Sequence, residues 1–360
     1  NEMGKHEEAI ASYNKAIELK PDYVDAHSNL GLILRIIKVN VFSESLAKNY
    51  LDVLNFGSIA RPFWLVGPII TLLKHHDTIK EVIHCKEQKT LEELASELCI
   101  QLSEIPLFIK IMEVCPLPDL DIEDVLAMLR KILLLNRRKL SVNNDLLSFQ
   151  SALALQCFTN EFIYGETEEE TITIQSLETS LQQAFSNNEE LSFYDITCLA
   201  SYRSLFNYPW ATDITPPPVL ERLFKRQVIE VNEELALKEG IARLNPIKDD
   251  VSVAVQNQYE ENPYPRWIDT QLEIRPLRIN QVIAQQELQV IRDISLLSEA
   301  PQILIAGCGT GQHALGTASS FENSHITAID LSLSSLAYAK RKTEELGFTN
   351  IDYLQADILD

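Results

Sequence analysis

Gly307-Cys308-Gly309-Thr310-Gly311 is the stretch that most narrows the folds open to this 360-residue chain. The apolar run Gln302-Ile303-Leu304-Ile305-Ala306 precedes it and reads as a strand, and Gln312 to Phe321 after it reads as a helix. Strand, glycine turn and helix in that order belong to a parallel α/β sheet. The arrangement turns backbone N–H groups and a helix N-terminus toward a nucleotide-like ligand. A second strand, His325-Ile326-Thr327-Ala328-Ile329, ends in Asp330. That is the place from which an acid reaches a ribose diol, about twenty residues after the glycines. Too few residues follow the turn for a doubly wound sheet, so the first half of such a domain is expected, with an apolar edge left open beside its first strand.

Two cofactor classes compete for the turn. A dinucleotide calls for G-x-G-x-x-G. Gly307 and Gly309 are followed by Gln312, which breaks that pattern, whereas Gly309, Gly311 and Ala314 keep a weaker form of it and leave a nicotinamide-dependent enzyme as an alternative. Three glycines in one short run bend the chain tightly, so that backbone lines the pocket and leaves room for a bulky ligand in place of a pyrophosphate. The motif resembles motif I of the class I S-adenosylmethionine-dependent methyltransferases.

That resemblance continues in order from Pro301 to Asp360. It implies cofactor contacts from Ala306, Gly307, Cys308, Gly309, Thr310 and Gly311, and a ribose site at Asp330 with Leu331. Ser332 would cap a helix from about Leu333 to Leu346, with Gly347 at its stop. A third strand, Ile351 to Gln355, leads to Ala356-Asp357-Ile358, similar to the family's A-D-[IVL] step, where the acid meets the adenine amino group. One position departs: Ile305 stands where the family has an acid that helps to orient the methionine ammonium. The substrate-side residues normally follow a fourth strand, so no catalytic base is assigned, and no methyl transfer is expected from these 360 residues alone. Cys308 reads as a small packing residue, since no His or acid flanks it in a useful pattern.

At the other end Gly4, Ala9, Tyr13, Ala16 and Pro21 fall at spacings of five, four, three and five. Small residues let two helices approach, Tyr13 fills the gap between them and Pro21 ends the helix. Asp22 through Leu34 then reads as the opening helix of a second unit, with Leu30-Gly31 inside it. This resembles a tetratricopeptide repeat, the remnant of a longer array, and implies a possible protein partner. The chain begins without Met, so truncation is expected at both ends.

Residues 36 to about 230 read as helical throughout. Thr90-Leu91-Glu92-Glu93 is a capping box, Asp119 to Leu135 carries Ile122, Val125, Leu126, Leu129 and Ile132 along one face, and Asp145 to Tyr164 and Thr171 to Phe185 keep the same period. Ser192 to Phe206 and, after Pro216-Pro217-Pro218, Leu220 to Leu237 follow. Aromatic residues here (Phe149, Phe158, Phe162, Tyr164, Tyr194, Tyr202, Phe206) are expected in the core. From Asp249 the texture changes to Gln258-Tyr259-Glu260-Glu261-Asn262-Pro263-Tyr264-Pro265-Arg266-Trp267, held extended by two X-Pro steps. It reads either as a stiffened linker packing its aromatics on a neighbour, or as a cap. In the second case Tyr259, Tyr264 or Trp267 covers the cofactor and Arg266 pairs with a carboxylate. Glu287 to Leu297 reads as a further helix.

The net charge of -21 disfavours a nucleic-acid partner, and the cluster Glu166, Glu168, Glu169 and Glu170 reads as a solvated loop and helix start. Six cysteines without a C-x-x-C pair read as buried free thiols of a reducing compartment, and His75-His76 has no accompanying metal-ligand spacing. No membrane-length apolar run or signal peptide is visible. The expected architecture is multidomain, α plus α/β: a repeat remnant (residues 1–36), an all-α middle region (37–248), a Pro/aromatic cap and linker helix (249–300) and three strands of a Rossmann-like sheet (301–360). The expected protein is a cytoplasmic methyltransferase using S-adenosylmethionine. The alternative is an interaction scaffold whose methyltransferase unit has degenerated.

Overall fold

The computed structural model describes residues 2–85, 91–140, 142–261, 263–273, 275–285 and 299–359. The start of the Thr90 capping box, Asn262 and the Glu287–Leu297 helix lie outside the described residues. Contacts divide the chain into two units, one up to Val231 and one from Asn232. The division falls earlier than the change of texture at Asp249, so the stretch from Asn232 to Lys248 groups with the sheet.

The first unit is helical. Glu2–Leu19 and Val24–Leu34 form an antiparallel pair about the Pro21 turn. Gly31 lets the second helix lie close to its neighbours: a Cβ there would already touch Val53 Cγ1 at 3.4 Å and Ala60 Cβ at 3.6 Å. Leu30 and Leu34 are fully buried, and Tyr50, from the helix Glu44–Phe56, donates to the Leu34 carbonyl at 2.8 Å. Beyond this pair, the helix Asn144–Thr159 is buried along nearly its whole length. Phe149, Phe158, Tyr164, Tyr194 and Tyr202 pack in this interior as expected, while Phe162 and Phe206 are half-buried.

Two sequence expectations need correction in this unit. Leu220 to Leu237 is not one regular helix, because a wider turn at Lys225–Ile229 separates Glu221–Phe224 from Glu230–Glu239. The acidic cluster is solvated only in part. Glu168 and Glu169 are exposed, but Glu170 is buried, closes a reciprocal capping box with Thr167 and accepts from the Tyr202 hydroxyl at 2.7 Å. The buried Arg130 guanidinium stands 3.8 Å from it, and Glu166 pairs with Arg203. Burial opposes ionisation of Glu170, yet hydrogen bonds from Tyr202 and Thr167 and the Arg130 charge outweigh it and hold the carboxyl below its usual range.

The second unit is built on a parallel sheet of four strands: β1 (Ala242–Arg243), β2 (Gln302–Ala306), β3 (His325–Asp330) and β4 (Ile351–Gln355). Their spatial order is β1-β4-β3-β2. The last three pair in continuous register, with Gln302 beside His325 and Ile326 beside Ile351. The three-strand expectation therefore gains a fourth member, β1, whose two residues pair with Leu354 and Gln355. The helices Gln312–Ser320 and Leu333–Glu345 connect the strands. Ile305, Ile326, Ala328, Ala314, Leu336 and Tyr353 belong to the core beneath them. At the opposite edge β2 leaves Leu304 65% exposed.

Candidate active site

The carboxyl ends of β2, β3 and β4 carry the three motif segments, and backbone bonds draw them together. Cys308 N–H donates to the Ile329 carbonyl at 2.9 Å, and Ala356 N–H donates to the Asp330 carbonyl at 3.1 Å. Adjacent parallel strands thus deliver the glycine turn, Asp330-Leu331 and Ala356-Asp357-Ile358 to one end of the sheet, where open α/β sheets form ligand crevices.

All three turn glycines have positive φ, at +68°, +53° and +82° for Gly307, Gly309 and Gly311. Their surroundings differ. A Cβ on Gly307 or Gly309 would meet nothing within 4 Å, whereas one on Gly311 would come within 2.5 Å of Ala339 Cβ and 3.0 Å of the Tyr353 hydroxyl. Gly307 and Gly309 therefore leave clear space over the backbone, and Gly311 lets the turn lie on the Leu333–Glu345 helix. Cys308 and Thr310 are buried between them, and burial raises the Cys308 thiol far above its ordinary range, as a packing residue requires.

Asp330 links two of the segments. Its Oδ2 accepts the Gly309 N–H at 2.8 Å and its Oδ1 accepts the Ser332 N–H at 3.0 Å. A carboxylate has about four acceptor positions, so each oxygen keeps capacity for a donor such as a hydroxyl. Asp357 is buried; its Oδ1 accepts the Leu359 N–H at 3.0 Å, while Ile358 beside it is 65% exposed. Ser332 caps the helix by accepting from Ser335 N–H, and Gly347 follows the helix end with a φ of +75°. Ile305 is 6% exposed within the apolar core and offers no polar atom to the crevice.

The four expected cap residues separate into two pairs. Trp267 lies buried under the turn: its Nε1–H donates to the Thr310 carbonyl at 2.9 Å, and its ring meets Tyr338 edge-on with centroids 6.1 Å apart. Arg266 has its carboxylate partner within the chain, Glu234 at 3.4 Å, which also accepts from Arg341 at 2.9 Å. Both residues thus make contacts within the second unit. Tyr259 and Tyr264 remain 38% and 53% exposed. The Thr310 hydroxyl donates to the Pro265 carbonyl at 2.9 Å and the Ser332 hydroxyl donates to the Tyr259 carbonyl at 2.9 Å, so the segment carrying both tyrosines runs from Ser332 to the glycine turn.

Sequence reasoning missed Glu260. Its Oε1 accepts the Leu333 N–H at 2.5 Å, while Oε2 accepts from Lys238 at 2.5 Å and from the Ser334 hydroxyl at 2.8 Å. The carboxylate thus sits on the N-terminus of the helix that follows Asp330. Burial opposes its charge, but the bonds from Lys238, Ser334 and Leu333 prevail and keep its pKa below the ordinary carboxylate value. An acid one residue after Tyr259 and a Ser-x-Ser after Asp330 were the available signal.

Residues 1–34 match the family model described as TPR repeat, and residues 303–360 match the model described as Methyltransferase domain. No curated protein and no solved structure matches the chain. No described helix is long and apolar enough to cross a membrane.

Proposed function

We propose that the second unit binds S-adenosylmethionine at the carboxyl ends of β2, β3 and β4, and that the methyltransferase domain it carries uses this donor on an acceptor still to be identified. The observation that carries the reading is the convergence of glycine turn, Asp330 and Asp357 on three neighbouring strands. The residues fit the group. The clear space over Gly307 and Gly309 takes its bulk, Asp330 has acceptor capacity for the ribose hydroxyls, and the Asp357 carboxylate suits an adenine amino group. Leu331 and the exposed Ile358 offer apolar contact beside them.

The cofactor supplies a methyl group made electrophilic by its sulfonium. What the chain supplies is position, the main source of rate when the reacting group is already activated. Asp330, tied to Gly309 N–H, fixes the turn relative to the second strand before any ligand arrives. Trp267 and the Pro265 carbonyl brace the same turn at Thr310. Tyr259 and Tyr264 are the two cap residues with surface left to cover the crevice. The repeat segment docks a protein partner in this reading.

Isothermal titration of the chain with S-adenosylmethionine tests it. Saturable binding is expected, with Asp357→Ala and Asp330→Ala each weakening it roughly tenfold or more, the effect of a lost hydrogen bond to a charged group. Because Asp330 also holds the turn, circular dichroism melts accompany its variant. Wild-type isotherms from both folded variants would refute the assignment. No heat from the wild-type chain would favour the scaffold reading, which rests on Ile305 being buried and apolar.

A further inference from the structure

Residues 330–333 carry the acid assigned to the ribose, and each of them is held from another element. The Asp330 carbonyl accepts from Ala356 N–H at 3.1 Å, and the Leu331 carbonyl accepts from the buried Gln355 amide at 2.8 Å. Both ties come from the end of β4. The other two come from the last turn of the helix Asp250–Glu261. The Ser332 hydroxyl donates to the Tyr259 carbonyl at 2.9 Å, and Leu333 N–H donates to Glu260 Oε1 at 2.5 Å.

Glu260 alone among these partners brings a charge, and that charge is itself anchored. Its Oε2 accepts from Lys238, on the helix Glu230–Glu239, and from the Ser334 hydroxyl, which in turn accepts from Lys238 at 2.9 Å. Leu333 N–H is the first of the donors that a helix start leaves unsatisfied, and an anion is favoured there. Two carboxylates, Asp330 and Glu260, thus accept from the adjacent amides of Ser332 and Leu333, and Lys238 offsets the repulsion between them.

We infer that Glu260 is a positioning residue for the methyl donor: it orients the Asp330 carboxylate by fixing the amide three residues further on. The inference rests on the reading of the crevice as a donor site. Asp330 gives each oxygen one backbone amide, Gly309 and Ser332, so only its remaining lone pairs can meet a ribose diol. Two vicinal hydroxyls on one carboxylate tolerate little misplacement, about 0.5 Å. On one side Asp330 is fixed by its strand. On the other the chain turns at once into a helix, and Glu260 holds the first amide of that helix. Without that bond the helix start would shift, together with the carboxylate joined to it through Ser332. Glu260 spends both oxygens on the chain, so it acts through Asp330 and not on the ligand.

Isothermal titration of the whole chain with S-adenosylmethionine and with its 2′,3′-dideoxy analogue tests this. Glu260→Ala should weaken the natural donor roughly tenfold and the analogue, which has no diol to misplace, by less than about twofold. Glu260→Gln keeps an acceptor for Leu333 N–H but turns amide hydrogens toward Lys238, so it should also bind weakly. Adding Lys238→Met removes that conflict and should bring donor affinity back to within about threefold of the wild type. The double variant also covers the case in which Glu260→Ala does not fold. Equal losses for donor and analogue, full affinity in Glu260→Ala, or a double variant that fails to recover would each leave the donor site standing and reduce Glu260 to a structural bond. No binding of either ligand by the wild-type chain would remove the donor reading, and this inference with it.

Discussion

Three glycines written almost consecutively do different work. Gly307 and Gly309 stand under open space, and Gly311 stands against Ala339 and Tyr353. An alanine at Gly307 meets only the cost of a left-handed backbone, about 1–2 kcal/mol. At Gly311 the collision with Ala339 adds roughly 1–3 kcal/mol more. Urea denaturation should therefore show Gly311→Ala losing clearly more stability than Gly307→Ala. The donor isotherm should reverse the order, since a methyl group on Gly307 projects into the space assigned to the ligand. Equal losses in both measurements would dissolve this distinction. The sequence marks all three residues as a turn. It does not distinguish them, because Ala339 and Tyr353 enter from elements that follow the turn.

At the scale of elements, the proline-rich segment is a brace. Glu260 fastens it to the helix Leu333–Glu345, and Trp267 fastens it to the turn at Thr310. Trp267→Phe keeps most of the buried area and removes the indole donor, so a stability loss of about 1–3 kcal/mol is expected together with weaker donor binding. Unchanged donor affinity in a destabilised Trp267→Phe protein would mean that the brace serves folding alone. The density of aromatics and prolines was legible here, and so were the competing linker and cap readings. Which residue took which role was not. Arg266 turned toward Glu234, and that partner lies 32 residues earlier on a helix assigned by sequence to another region. The helix cap at Ser332, by contrast, was readable, because a cap needs only its own turn.

Across the whole molecule, carboxylates held below their ordinary range occur in both units: Glu166 and Glu170 in the first, Glu260 in the second. For such groups the folded-state pKa lies below the unfolded value of 4.5. Their stabilisation is complete above the unfolded pKa and disappears as pH falls through the folded one. Acid titration followed by circular dichroism should show unfolding that sharpens below about pH 4.5. Glu170→Gln should flatten part of that dependence while lowering stability at neutral pH by roughly 3–5 kcal/mol, because it leaves the buried Arg130 charge uncompensated. A mutant with the wild-type acid profile would remove Glu170 from this account. Local sequence places Glu170 at a helix start, but its depth depends on Arg130 and Tyr202, which no short pattern joins to it. The repeat segment and the strand–glycine–helix unit were readable for the opposite reason: each is a run of neighbours along the chain.

The two-residue strand β1 has a consequence in time. Ala242 and Arg243 are synthesised long before Leu354 and Gln355, the residues they lie beside. At the usual pace of translation, about 5–20 residues per second, the ribosome takes roughly 5–20 s to cover that interval. Throughout it the edge segment has no strand to join. A nascent chain halted before Ile351 should consequently leave this stretch open to proteases or chaperones, and addition of the strand Ile351–Gln355 should close it.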